Sequence, residues 1–134
     1  DLEVARRIYN GLNYFHHVLY TQEYIHHGRQ DIRCLVIGGK VVAAMCRRAR
    51  GWKTNVSQGA KPVPLTPNSE VEEIAVKSAK ILGCRVSGVD ILESPDGYFV
   101  NEVNSQPGFR GLQIVSKVDI ADEIVKYVLN EIRK

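Results

Sequence analysis

Two apolar runs of strand length, Gly88-Val89-Asp90-Ile91-Leu92 and Phe99-Val100-Asn101-Glu102-Val103-Asn104, flank the segment Ser94-Pro95-Asp96-Gly97. A tight turn between two such runs closes a β-hairpin, and few other folds satisfy both runs. Side chains alternate faces along a strand, so Glu102 and Asn104 point one way and Val103 the other. Asp90 on the partner strand can sit beside them. Two carboxylates and one amide then offer oxygen donors on one face. Hard divalent cations such as Mg²⁺ take oxygen donors, commonly one or two carboxylates together with substrate phosphates. The same residues also suit an exposed polar face with a turn at each end, because antiparallel sheets often face water on one side.

The hairpin sits in a chain of 134 residues, about one domain. With 44% hydrophobic and 25% charged residues the composition is that of a water-soluble globular chain, and no apolar run reaches membrane-span length. No signal peptide is recognisable, and we expect a cytoplasmic protein with no membrane partner. A net charge of +3 is too small to argue for nucleic acid, and few aromatics are interleaved with the arginines to stack bases. Cys34, Cys46 and Cys84 are odd in number and lack C-x-x-C spacing, which reads as reduced thiols. The start at Asp1, in what reads as mid-helix, leads us to expect a piece of a longer protein.

In chain order, Leu2, Ala5, Ile8, Tyr9 and Leu12 keep helical spacing, with Gly11 and Asn13 at the end. Phe15 to Ile25, rich in aromatic and branched residues, reads as a strand. Asp31–Ile37 and Lys40–Arg48 read as strands joined by Gly38-Gly39. Arg50 to Leu65 has no period and reads as a long loop of the kind that carries function. Thr66-Pro67 reads as an N-cap followed by the first helical residue, opening a helix that Gly83 closes. Residues 108–117 read as a loop with a short helical turn. Asp119 caps a last helix whose buried face is Ile120, Ile124, Val128 and Leu129. Runs of neighbouring antiparallel strands predict an α+β fold, mainly an antiparallel sheet with helices packed on one side.

Several further groups carry chemistry. Glu23, at the end of the expected strand Phe15–Ile25, can accept from an exocyclic amine such as that of adenine; a plain strand terminus is the commoner meaning of such a pattern. Asp31 and Arg33 share a strand face, with Arg47 on the adjacent strand. A carboxylate there suits a ribose hydroxyl and an arginine fork suits phosphate, although surface ion pairs look the same. Lys53-Thr54-Asn55, beside Gly51 and Gly59, suits an anionic ligand. The histidines come as the adjacent pairs His16-His17 and His26-His27, poor chelates on a strand, and no Cys/His spacing matches a zinc site. No nucleophile elbow or paired nucleophilic cysteine is present.

Taken in order, Gln22-Glu23-Tyr24-Ile25, Asp31-Ile32-Arg33, Val41-Val42-Ala43-Ala44-Met45 with Arg47-Arg48, Thr54-Asn55, Gly88-Val89-Asp90-Ile91-Leu92, and Glu102-Val103-Asn104-Ser105 with Pro107-Gly108 resemble the ATP-grasp ligases. The branch they resemble is that of the RimK-type glutamate ligases. The resemblance implies an adenine hinge at Glu23 and Tyr24, a ribose contact at Asp31, and a nucleotide contact at Lys53, Thr54 and Asn55. It implies Mg²⁺ or Mn²⁺ ligands at Asp90, Glu102 and Asn104. Arg47 would face the phosphates or acyl phosphate, with Arg33 in a similar catalytic position. The reaction implied is ATP-dependent joining of an amine, glutamate in this branch, to a carboxylate acceptor on a coenzyme or protein. That chemistry needs positioning and charge neutralisation rather than an enzyme nucleophile, in keeping with a site of oxygen donors and arginines.

Two departures shape the expectation. The family's glycine-rich loop, phosphate-binding lysine and amino-terminal domain lie upstream of the hinge and are not in this sequence. Residues 1–134 therefore read as the carboxy-terminal part of an ATP-grasp domain, inactive alone and needing the amino-terminal half as partner; a homo-oligomer is left open. The tail Asn104-Ser105-Gln106-Pro107-Gly108-Phe109-Arg110 resembles the archaeal ligases that extend coenzyme side chains more than the branch that modifies a ribosomal protein. Arg110 would then meet a substrate carboxylate. The competing reading is a degenerate remnant serving as a binding or scaffold domain, against which the intact Asp90, Glu102 and Asn104 set argues.

Overall fold

The computed structural model describes residues 1–51, 54–56 and 59–133. Its elements run α1 Leu2–Tyr14, β1 Gln30–Ile37, β2 Lys40–Arg48, β3 Lys61–Pro64, α2 Ser69–Ile81, β4 Val86–Ser94, β5 Gly97–Asn104, α3 Arg110–Val115 and α4 Ile120–Ile132. The five strands form one antiparallel sheet in the order β3-β2-β1-β4-β5. The α+β, antiparallel expectation therefore holds, and β4–β5 is the hairpin read from the sequence.

The helices occupy both sheet faces, not one. Ile32, Cys34 and Val36 of β1, with Val89 and Ile91 of β4, pack beneath Val71, Ala75 and Ala79 of α2. The alternate residues Leu35 and Ile37 face the other way and meet Met45, Leu112 of α3 and Ile120 of α4. Strands covered on both faces lose simple alternation and read as nearly continuous apolar runs. Such runs do not say where the helices go.

Phe15 to Ile25 is not a strand. It runs irregularly from the end of α1 to β1, with Val18 99% and Tyr20 84% exposed. Strand preference reflects packing against neighbours more than the backbone itself, and this segment joins no ladder. The long loop is broken instead by β3, an edge strand. Its Pro62 and Pro64 pair with Arg47 and Met45, a place where a missing N–H is tolerated.

The cap of α2 is Asn68 rather than Thr66: its side chain accepts from the Val71 N–H at 2.9 Å. Residues 108–117 contain α3. On α4, capped by Asp119 as expected, Ile120 and Ile124 face the core with Tyr127, while Val128 and Leu129 stay about half exposed. The helix α1 buries none of its residues. None of the described helices is long and apolar enough to cross a membrane.

Two positions test this packing. Gly38, at φ +57° in the β1–β2 turn, would place a Cβ 2.6 Å from the Tyr127 ring of α4. Gly38→Ala should cost about 1–3 kcal/mol through overpacking and backbone strain. The melting temperature should fall by several degrees. A substitution at Gly39, φ +80° with nothing within 4 Å, should cost less. Cys34 is wholly buried, and burial, with smaller contributions from Glu72 and Asp90, pushes its thiol up to about 12. It should resist alkylation at pH 8 in the native state and react on denaturation, as peptide mapping would show.

Candidate active site

Strand register builds the site. Asp31 of β1 lies opposite Arg47 of β2, Arg33 of β1 opposite Asp90 of β4, and Asp90 opposite Glu102 of β5. These residues share the α3 side of the sheet because of the period-two alternation that sends Cys34 and Val89 to the α2 side.

Asp31 and Asp90 are buried, at 2% and 1% exposure, with Arg47 at 4%. Arg47 donates from Nε to Asp31 Oδ1 at 2.7 Å and from Nη2 to Asp31 Oδ2. The same Nη2 reaches Asp90 Oδ2 at 2.8 Å. Arg33 grips Asp90 as a fork, Nε to Oδ1 at 2.5 Å and Nη2 to Oδ2 at 2.7 Å. Two arginines and two aspartates thus cancel in charge, as a buried ionic cluster requires. Burial works against the Arg47 charge. Its hydrogen bond to Asp31 and the field of Asp90 and Asp31 outweigh burial, so its pKa rises further above the ordinary guanidinium range.

Glu102 is exposed and Asn104 half-buried. With the Asn104 amide nitrogen directed at Glu102 Oε1 (3.0 Å), its oxygen accepts from Arg33 Nη2 at 3.2 Å. Asp90, Glu102 and Asn104 therefore converge through Arg33. Gly88 makes room for Pro107, since a Cβ there would stand 3.0 Å from its side chain, while the Arg33 guanidinium carbon at 3.7 Å would be in ordinary contact. Among the described residues no group of three His, Cys, Asp or Glu is placed to hold a metal. The Asp90, Glu102 and Asn104 set has two carboxylates and an amide. All three are oxygen donors of the kind a hard cation takes, so the set fits Mg²⁺ chemically.

Two clefts flank the cluster. One, of about 270 Å³, is lined by Gln22, Glu23, Tyr24, Ile25, His27, Thr54, Asn55, Leu92 and Asn101. It gathers the expected hinge residues Glu23 and Tyr24 with Thr54 and Asn55. The other, of about 650 Å³, is lined by Arg33, Met45, Arg47, Asn55, Val56, Gly108, Arg110, Gly111 and Ile114. Arg110 is exposed. Asn55 belongs to both clefts. Thr54 is buried and donates its hydroxyl to Asp31 Oδ2 at 2.6 Å. Lys53 lies outside the described residues.

Asn101, Leu92 and His27 were not singled out from the sequence. The β4–β5 register shifts between Asp90 and Ile91, so Glu102 faces Asp90 while Val100 faces Ile91 and Asn101 is the extra residue of a bulge. Its side chain accepts from Gln22 at 3.4 Å, tying β5 to the segment before β1. Adjacent polar residues inside the run Phe99–Val103 were the available signal. His27 is buried with Nδ1 2.9 Å from the Gln30 carbonyl oxygen, an anchor for the loop entering β1.

The fold is that of an ATP-grasp domain. The model of the RimK-like ATP-grasp domain matches residues 2–128, and the chain belongs to that family. Among similar proteins is a probable alpha-L-glutamate ligase of Syntrophotalea carbinolica, 47% identical over 81% of this chain and 37% of that protein. Another is the tetrahydromethanopterin:alpha-L-glutamate ligase of Methanocaldococcus jannaschii, 39% identical over 95% of this chain and 45% of that protein. A solved structure of the ATP-grasp ligase PsnB, complexed with minimal precursor, Mg and ADP, superposes with a TM-score of 0.68 at 26% identity. It covers 84% of this chain and 35% of that one. The chain thus spans about two fifths of the length of the curated relatives it matches.

Proposed function

We propose that the full-length protein is an ATP-dependent carboxylate–amine ligase that joins L-glutamate to a carboxylate acceptor. The observation that carries this reading is the placement of Arg33, Arg47, Asp90, Glu102 and Asn104 on one sheet face between two clefts that meet at Asn55. ATP binds in the cleft of Glu23, Tyr24 and Asn55. Asp90, Glu102 and Asn104 hold Mg²⁺ or Mn²⁺, which when bound neutralises phosphate charge. The Arg47 guanidinium, pinned on one edge, presents the other to the transferring phosphoryl group. The acceptor carboxylate takes the γ-phosphoryl group, forming an acyl phosphate and ADP. The glutamate amine then displaces phosphate to give the amide. Arg110 draws a substrate carboxylate to the larger cleft. Reduced cysteines agree with a cytoplasmic setting.

The 134-residue piece alone binds ATP weakly and does not turn over, because the nucleotide needs the remaining half of the domain. The test is a screen of full-length protein with ATP, Mg²⁺ and glutamate over coenzyme and peptide carboxylates, scored by ADP release and product mass. A product heavier by one glutamyl residue supports the reading. Absence of any glutamate-dependent ADP release would favour a remnant with a binding role.

A further inference from the structure

Gly111, in the first turn of α3, stands where that helix meets the loop carrying Thr54, Asn55 and Val56. A Cβ placed there would lie 3.3 Å from Val56 Cγ2 and 3.4 Å from Val56 Cγ1. Both distances are inside the roughly 3.5–4.0 Å at which carbon atoms pack best. Glycine is a poor helix former, so the position serves the close approach rather than the helix. Val56 packs in turn against the core cluster that contains Leu112. On its other side the loop is pinned where Thr54 Oγ1 donates to Asp31 at 2.6 Å. Asn55, between these two anchors, lines both clefts. Its carbonyl accepts from the Ala60 N–H at 3.3 Å, and that of Val56 from the Gly59 N–H at 3.0 Å. The backbone around Asn55 therefore has little room to absorb a push. Among the described residues α3 adds none to the lining of the smaller cleft, whereas Arg110 and Gly111 both line the larger.

We propose that Gly111 is a positioning residue: lacking a side chain, it lets α3 close on Val56 and so holds Asn55 where the two clefts meet. The proposal rests on the ligase reading above, which puts the nucleotide in the smaller cleft and a substrate carboxylate at Arg110. One contact then sets the acceptor-side helix and the nucleotide-side loop together. A change on α3 is felt at the nucleotide although the helix does not line that cleft.

The experiment measures binding of AMPPNP with Mg²⁺ to full-length protein by calorimetry, beside a thermal melt, for Gly111→Ala, Val56→Ala and the double variant. Misplacing a positioned group by about 1 Å costs about 10²-fold in rate, and the added methyl displaces Val56 by less, so Gly111→Ala should raise Kd about 10-fold. Val56→Ala removes the anchor and should weaken binding by a smaller factor. In the double variant the new methyl meets only the Cβ of position 56, at 3.7 Å, an ordinary contact. Its Kd should return to within about 2-fold of the parent's, the non-additivity expected of residues in contact. A Gly111→Ala protein that binds AMPPNP as the parent does, or a double variant whose losses multiply, would overturn the proposal. A lower melting temperature with an unchanged Kd would make Gly111 a packing residue only and overturn it as well. Should Gly111→Ala not fold, an unchanged Kd in Val56→Ala does the same. A parent that binds no AMPPNP sinks the ligase reading and this proposal with it. A parent that binds, matched by its variants, sinks the proposal alone.

Discussion

Asp90→Ala is expected to destabilise the domain by about 3–5 kcal/mol, because removing one partner of a buried ionic cluster leaves uncompensated charge behind. Here the excess is positive. Arg33 loses both acceptors of its fork, and Arg47 loses the one that Nη2 shares with Asp31. Arg33 has 13% of its side chain exposed and can turn towards water, whereas Arg47, at 5%, cannot do so without opening the sheet. A loss of this size is a large fraction of the roughly 5–15 kcal/mol that holds a domain folded. The measurement is a thermal melt of the full-length protein with amide exchange at β1 and β4. Asp90→Asn, similar in shape, should fall between parent and alanine variant. An Asp90→Ala protein that melts with the parent would mean that the arginines find other partners and the cluster does not hold the sheet. Activity should be absent in both variants, so this position cannot separate folding from chemistry.

The way that cluster forms explains what the sequence could and could not disclose. Asp31 and Arg33 announce a shared face by period two alone. That is a local rule, and it holds. The hairpin turn at Ser94–Gly97 by itself would pair Asp90 with Asn101, and it is the bulge at Asn101 that brings Glu102 opposite Asp90. The pairing of Arg33 with Asp90 is different: it depends on β1 lying between β2 and β4, with 57 residues separating the two side chains. No local pattern encodes that neighbour. The burial of Thr54 likewise follows from where the loop lands, against Asp31. The bulge at Asn101 shifts the hairpin register by one residue, and period-two counting back from Glu102 assigns Val100 to the wrong face. Phe15 to Ile25 failed as a strand because propensity cannot supply a partner, and the sheet already has β3 and β5 at its edges.

Glu102 separates what Asp90 cannot. Its side chain lies on the exposed end of the row and, among the described residues, meets the Asn104 amide at 3.0 Å. Glu102→Gln keeps the shape and a hydrogen-bonding oxygen, and should change stability by no more than about 0.5 kcal/mol, as for a surface position. Removing its charge should nonetheless lower ligase kcat by about 10²–10³-fold, the scale of losing one preorganised electrostatic group. It should also raise the Mg²⁺ concentration giving half-maximal rate. The contrast has a physical basis. Asp90 has three of its roughly four acceptor sites taken by two arginines, so Glu102 is the carboxylate with more oxygen to offer a cation. Calorimetry of nucleotide binding with and without Mg²⁺ supplies the check. The parent should bind more tightly with the metal, and the variant should lose that increment while binding metal-free nucleotide as before. A Glu102→Gln protein that keeps the full Mg²⁺-dependent increment would move the metal away from this hairpin face, since without Glu102 the face has only an arginine-bound carboxylate and one amide to hold it.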